Sequence, residues 1–318
     1  MSTILFSAPY MLPFLDRFRP VFERAGMDLI TPEVQERLEE SDLLRYAGKF
    51  DGTVCGDDHY SARVLDACAP RLKVISKWGT GIDSIDSQHA ARLGIRVCRT
   101  PNAFTLPVAD SVMGYILTFA RRLPWMDRAV KAGRWDKLPG RALHECTLGV
   151  IGVGTIGKTV VRRARPFGMN TLGNDIVEID HVFLAETGVE ITALDDLLAR
   201  SDFVSLNCDL NPSSLHLINA RTLGLMRPSA VLVNTARGAV VDEGALIEAL
   251  NKGTIGGAAL DVFETEPLPP DSPLLKMDNV LLAPHNANSS PAAWERVHWN
   301  TIRNLFEGLG INFIGKGV

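Results

Sequence analysis

The sequence predicts an α/β protein made of two successive doubly wound parallel-sheet domains. Three observations carry this. Short β-branched runs alternate with amphipathic helical stretches over the first hundred residues, the alternation starts afresh at Thr147, and the two series join through Thr100–Pro101 and one long helical segment. Strands alternating with helices imply right-handed crossovers and a parallel sheet. Such strands are covered on both faces, so their apolar runs need not alternate strictly.

Taken in order, the first-series strands are ILFSA (from Ile4), MDLIT (from Met27), GTVCG (from Gly52), LKVISKW (from Leu72) and IRVCRT (from Ile95). Helical stretches fall between them, among them Pro32–Ala47 and Ser61–Ala69. Pro107 to about Lys131 reads as one long helix. Pro107 stands near its first turn, where a missing N–H costs nothing, and Pro124 should bend or end it. GRWDKLPGR (from Gly133) is a loop. The second series supplies TLGVIGV, NTLGND, GVEIT, DFVSLN, AVLVNTA, GGAALDV and NVLLAP. The last helix runs from about Ser290 through Leu305, with Trp294, Val297, Thr301 and Asn304 on one face, and ends at Gly308. The pattern leaves open whether it caps the second domain or returns to the first.

Length and composition agree with this plan. At about 150 residues per domain, 318 residues suggest two domains. A chain with 46% hydrophobic and 22% charged residues can bury a full core, which excludes a disordered protein. The net charge is −4 and no Lys/Arg run occurs, which argues against a nucleic-acid partner. The five cysteines, Cys55, Cys68, Cys98, Cys146 and Cys208, are scattered and form no C-x-x-C. They fit neither a metal site nor a disulfide framework, and reduced thiols are expected. The N-terminus lacks a basic start and its apolar stretch is broken by Pro9 and Pro13, unlike a signal peptide. No uncharged apolar run reaches the ~20 residues a membrane span needs. A cytoplasmic protein that engages neither membrane nor nucleic acid is the expectation.

Gly152-Val153-Gly154-Thr155-Ile156-Gly157 is a G-x-G-x-x-G that follows the apolar strand Leu148–Ile151 and opens a helix running to about Pro166. Asp175, 18 residues after Gly157, ends the next strand. This is the dinucleotide fingerprint with its ribose-binding acid. Gly152 permits the tight turn, Gly154 lets a pyrophosphate approach the backbone, and Gly157 brings helix and strand close. Asp175 would accept both ribose hydroxyls and repel a 2′-phosphate, and no Arg stands at 176–180, so NAD is favoured over NADP.

Three polar clusters follow at predicted strand ends: Asn234-Thr235-Ala236-Arg237-Gly238, Asp261 through Pro267, and Ala283-Pro284-His285-Asn286. Open parallel sheets bind ligands outside the carboxyl ends of their strands. Hydride exchange between an alcohol and NAD needs a base for the hydroxyl proton and a cation to fix a carboxylate or carbonyl. His285 suits the first role, with a carboxylate against its other nitrogen, and the planar fork of Arg237 suits the second.

With these residues in place, the chain resembles the D-isomer-specific 2-hydroxyacid dehydrogenase family. The match runs through KWGTGIDSID (from Lys77), TPNAFTLPVAD (from Thr100), VIGVGTIGK, VLVNTARG, ALDVFETEP and LAPH, in family order. The resemblance implies a flavodoxin-like substrate domain of residues 1–99 and 290–318 and a Rossmann-type NAD domain of residues 100–289. It implies Arg237, Glu266 and His285 as the catalytic set, Glu266 rather than Glu264 being the acid followed by Pro in the family pattern. Substrate carboxylate would be held by Gly79, Thr80 and Gly81 together with Arg237. Cofactor contacts would come from Gly152, Gly154, Thr155, Ile156, Gly157, Asp175, Thr105, Thr235, Ala236 and Asp261. A homodimer formed through the helix and arm after Pro107 is also implied.

Some positions depart from the family pattern. Pro107-Val108-Ala109-Asp110 stands where Ser-Val-Ala-Glu is common, and Asn-Ala-Asn follows His285 where a glycine is usual. Cys55-Gly56-Asp57-Asp58 stands where phosphoglycerate enzymes place an Arg, which disfavours 3-phosphoglycerate. The expected activity is NAD-dependent hydride transfer between a small D-2-hydroxy acid and its 2-oxo acid. Alternatives on the same scaffold are an NAD-sensing, corepressor-like interaction protein, for which no added tail is visible, and a phosphite or formate dehydrogenase. Selectivity falls to loops near Asp57–His59 and Trp78 and, across a subunit boundary, to Trp135 or Arg141.

Overall fold

In the computed structural model, which describes residues 2–313, the strands form two separate sheets, parallel throughout. The chain divides into two compact units, one holding residues up to Phe104 and again from Ser290, the other Thr105–Ser289.

The first unit contains β1 (Thr3–Phe6), β2 (Asp28–Ile30), β3 (Gly52–Cys55), β4 (Val74–Lys77) and β5 (Arg96–Cys98), ordered β2-β1-β3-β4-β5. The order reverses between β1 and β3, as in flavodoxin-like sheets. Every residue of β3 and β4 is buried, as expected for strands covered on both faces. The helix Pro291–Gly308 lies on this sheet, not on the second one. Ser76 Oγ donates to Thr301 O at 2.7 Å, and Phe306 meets Phe22, which in turn meets Phe6.

The predicted helix over Pro32–Ala47 is a correction: only Glu40–Leu44 is helical. The preceding residues make other bonds. Leu38 is buried, its N–H donates to Asp58 Oδ1 at 2.9 Å, and its carbonyl accepts from His59 N–H at 3.0 Å. These tertiary bonds replace the i→i−4 ladder that local pattern alone suggested.

The second unit contains β6 (Thr147–Ile151), β7 (Asn170–Asn174), β8 (Glu190–Ile191), β9 (Phe203–Leu206), β10 (Val231–Asn234), β11 (Gly257–Leu260) and β12 (Val280–Leu282). Their order is β12-β11-β10-β9-β6-β7-β8, with the reversal between β6 and β9. Two cores follow from the period of two along each strand. Val150, Phe203 and Val233 face a core with Val112 and Ile116, whereas Ile151, Val204 and Leu232 face another with Leu197 and Leu246. The long helical segment is two helices, Thr105–Arg121 and Leu123–Lys131. The break falls at Arg122, in a left-handed conformation (φ 53°), and Pro124 begins the new helix rather than kinking the old one.

In the first unit Trp78 Nε1 donates to His298 Nδ1 at 2.9 Å. Burial drives this imidazole down to about 4, against the pull of Glu295. The folded state thus resists a proton that the unfolded chain accepts near 6.5, so stability is lost as pH falls from 6.5 toward 4. The melting-temperature advantage of wild type over His298→Gln should shrink across that window. Parallel melting curves would show that the bond does not depend on a neutral ring.

Candidate active site

The second sheet delivers its polar groups at one level. Asn234 pairs with Leu260 and Leu260 with Leu282, so Thr235, Asp261 and Ala283 leave three adjacent strands together. Ile151 pairs with Asn174 in the same way, placing the turn at Gly152 beside Asp175.

The glycine turn has the shape the fingerprint requires. Gly152 has φ 84°, and a Cβ there would meet Cys208 N at 2.5 Å; a Cβ on Gly157 would meet Gly152 O at 2.0 Å. A Cβ on Gly154 would meet nothing within 4 Å, so the helix N-terminus at Thr155 opens onto free space. Asp175 is fixed at the rim, accepting from Val153 N–H at 2.6 Å and Val177 N–H at 3.1 Å. Thr235 Oγ1 is buried and has no hydrogen-bond partner among the described residues. An orphaned hydroxyl after β10, at the same end of the sheet as the open helix N-terminus that follows β6, fits a bound dinucleotide, whose polar groups would satisfy it.

Glu266 and His285, the acid and imidazole expected to carry the chemistry, meet directly. His285 Nδ1 lies 2.8 Å from Glu266 Oε2, both side chains about four-fifths buried. Glu266 is held in turn by Phe263 N–H, which donates to Oε1 at 2.9 Å. Glu264 faces elsewhere and pairs with His216 at 2.8 Å. His285 itself is held at φ 50°, a backbone state that non-glycine residues rarely adopt. Its N–H donates to Asp261 O at 2.7 Å.

Asp261 holds the turn beyond the imidazole. It is 1% exposed, and its two oxygens accept from Asn286 N–H at 2.9 Å and Ala287 N–H at 2.8 Å. Burial raises its carboxyl above the usual range, against those two donors and the nearby imidazole. Arg237 leaves the end of β10. Its turn is braced by Asn234, whose Nδ2 donates to Arg237 O at 2.9 Å and whose Oδ1 accepts from Ala236 N–H at 3.0 Å, and Arg237 Nη1 donates to Ala236 O at 2.8 Å. Gly238 lets this turn approach the next strand end, because a Cβ there would strike the Phe263 carbonyl at 1.9 Å.

Asn234 as a brace was not singled out from sequence, and neither was Tyr115, whose hydroxyl lies 3.5 Å from Asp261 Oδ1. The asparagine stood within a quoted cluster. No signal links a helix tyrosine to an acid so far along the chain. Of the remaining predicted residues, Ala236 lies in the same turn as Arg237, Ile156 opens the helix Thr155–Ala164, and Thr105 begins the helix Thr105–Arg121. Gly79, Thr80 and Gly81 lie in the first unit, in the loop after β4. There Gly79 has φ 119°, its carbonyl accepts from Thr100 N–H at 2.8 Å, and Thr80 Oγ1 donates to Thr100 O at 2.9 Å.

A doubly wound parallel sheet with this glycine turn, rim acid and buried imidazole–carboxylate pair defines a nicotinamide-dinucleotide oxidoreductase. Residues 113–287 match the family model described as D-isomer specific 2-hydroxyacid dehydrogenase, NAD binding domain. A glyoxylate reductase from Thermofilum pendens is 43% identical over 271 residues, covering 83% of this chain and 80% of the relative. A D-3-phosphoglycerate dehydrogenase from Methanocaldococcus jannaschii is 41% identical over 264 residues, which span 82% of this chain and 50% of that longer protein. A solved D-lactate dehydrogenase from Aquifex aeolicus, complexed with NAD and lactic acid, superposes with a TM-score of 0.84 at 30% identity, covering 99% of this chain and all of the other. The chain belongs to the D-isomer specific 2-hydroxyacid dehydrogenase family, and it is an NAD-dependent oxidoreductase for a D-2-hydroxy acid and its 2-oxo acid.

Proposed function

We propose that this enzyme interconverts a small, unphosphorylated 2-oxo acid and its D-2-hydroxy acid, with glyoxylate and hydroxypyruvate the first substrates to test. The observation that carries the reading is the His285–Glu266 pair at 2.8 Å, at the carboxyl end of the sheet that bears the dinucleotide turn. NAD, when bound, supplies and accepts the hydride. His285 moves the proton: Nδ1 is committed to Glu266, so Nε2 donates to the carbonyl oxygen in reduction and takes the hydroxyl proton in oxidation. Glu266 fixes that tautomer and steadies the imidazolium. Arg237 orients the substrate carboxylate through its fork. Gly79, Thr80 and Gly81, in the loop after β4, are a further candidate for holding a substrate carboxylate. In support, no acceptor among the described residues takes their backbone N–H groups.

The test is NADH consumption with glyoxylate, hydroxypyruvate, pyruvate and 2-ketobutyrate, and NAD reduction with phosphite and formate. Turnover of a 2-oxo acid is expected. Silence with all of them would favour a nucleotide-sensing interaction protein, and activity on phosphite or formate alone would move the reaction class.

Asp175 binds the adenosine ribose in this reading. Hydrogen bonds to a charged group are worth about 1.5–3 kcal/mol each, so Asp175→Ala should weaken NADH at least about tenfold while narrowing discrimination against NADPH. An unchanged NADH dissociation constant, by fluorescence titration, would remove Asp175 from the cofactor site. We further propose a cytoplasmic homodimer formed by the helices and arm after Pro107. Leu123, Val130 and Trp135 are large apolar residues on that segment, and all are at least half exposed. The described residues hold no helix long and apolar enough to cross a membrane.

A further inference from the structure

The first unit carries a charged cluster at the carboxyl ends of β1, β3 and β4. Ser7 follows β1, Asp57 and Asp58 follow β3, and Lys77 closes β4. This is the end of the sheet, next to the β1/β3 reversal, at which open parallel sheets receive ligands. Lys77 is 4% exposed, its Nζ lies 2.8 Å from Asp57 Oδ1, and it donates to Trp78 O at 3.1 Å. A Cβ added to Gly79 would stand 3.3 Å from that Nζ, so the ammonium adjoins the glycine turn itself. A buried ammonium is tolerable because a carboxylate partners it, and separating the pair would leave an uncompensated buried charge.

The two members are not equally accessible. The Asp57 side chain is 30% exposed and that of Lys77 only 5%, so an incoming group meets the carboxylate first. Behind it Asp58 is fully buried, accepting from Ser7 Oγ and from Leu38 N–H. Burial, with Asp57 adding to it, pushes Asp58 up to about 7, against Ser7, Leu38 and Lys77. The second acid therefore adds no positive charge and, once ionised, makes the cluster net negative.

We propose that the Asp57–Lys77 ion pair determines substrate specificity, admitting an uncharged hydroxyl-bearing substituent at C3 and rejecting a phosphorylated one. This rests on the reading that Gly79, Thr80 and Gly81 hold the substrate carboxylate, which brings C3 toward the pair. A hydroxymethyl group donates a hydrogen bond to Asp57. A phosphate, with about −1.5 to −2 charges at neutral pH, meets a like charge while the Lys77 ammonium beside the turn is already committed.

The test compares kcat/KM with NADH for hydroxypyruvate and for its 3-phosphate ester, in the full-length wild type and in Asp57→Asn. Wild type is expected to favour the unphosphorylated acid by about 100-fold or more. Asp57→Asn releases the Lys77 ammonium and removes the repelling carboxylate, and should move that ratio at least about tenfold toward the ester. A merely structural role would lower both rates together and leave the ratio fixed, which overturns the proposal. Should Asp57→Asn fail to fold, the wild-type ratio decides: turnover of the ester within tenfold of the free acid contradicts it. Reduction of glyoxylate with neither three-carbon acid turned over overturns the specificity assignment alone, whereas no turnover of any 2-oxo acid brings down the proposed function with it.

Discussion

His285→Gln is expected to lower kcat/KM for the best 2-oxo acid by about 10²- to 10⁴-fold, the usual contribution of a positioned general acid or base. Glutamine approximates the ring's reach but exchanges no proton at neutral pH. The loss should fall on kcat, because the Gly152 turn, Asp175 and Thr235 are untouched and NADH binding should survive in a fluorescence titration. Glu266→Gln should lose less than His285→Gln. It keeps a hydrogen bond to Nδ1 and an acceptor for Phe263 N–H, but it no longer stabilises the charged ring. Retained turnover in His285→Gln would refute the proton-transfer assignment. If Glu266→Gln were fully active, the short contact between the two would be packing alone.

Arg237→Ala should be the next largest loss. A bidentate guanidinium–carboxylate pair makes two charge-assisted bonds of about 1.5–3 kcal/mol each, so their removal predicts a fall in kcat/KM of about 10²- to 10⁴-fold. Both constants should worsen, since the fork binds the carboxylate and aims the neighbouring carbonyl. Arg237→Lys should recover only part of the loss, because an ammonium has no planar fork. Asn234 gives an internal control. It braces the Arg237 turn from both sides without carrying charge, so Asn234→Ala should imitate a misplaced arginine and lower kcat/KM for the oxo acid. An Arg237→Ala enzyme with wild-type kcat/KM would place carboxylate recognition elsewhere.

What was legible in the sequence was whatever chain order and local chemistry determine. The strands of both sheets stood out because buried parallel strands are continuous apolar runs, and β3, β4, β9, β10 and β11 are buried at every residue. Gly152 and Gly157 were readable because a side chain at either would collide with backbone. What local pattern missed was set by distant partners. Residues 32–39 have a helical look, but Asp58 claims the Leu38 N–H. Composition could not choose between Glu264 and Glu266. The choice came from the resemblance, and the geometry shows each acid against its own histidine. The left-handed backbone at His285 and the two N–H groups on Asp261 have no sequence signature either, for they exist only once β11 and β12 lie side by side. Asp57 was readable as an acid where phosphoglycerate enzymes place an Arg, while its neutralising partner, Lys77, became visible only in the fold.

The central claim is that this chain moves a hydride between nicotinamide and C2 of an oxo acid while an imidazole handles the proton. The most direct test is to reduce hydroxypyruvate with NADH deuterated at the transferring position and to analyse the glycerate formed. One deuteron at C2, in D-glycerate, is the predicted result. L-glycerate, or D-glycerate without label at C2, would contradict it.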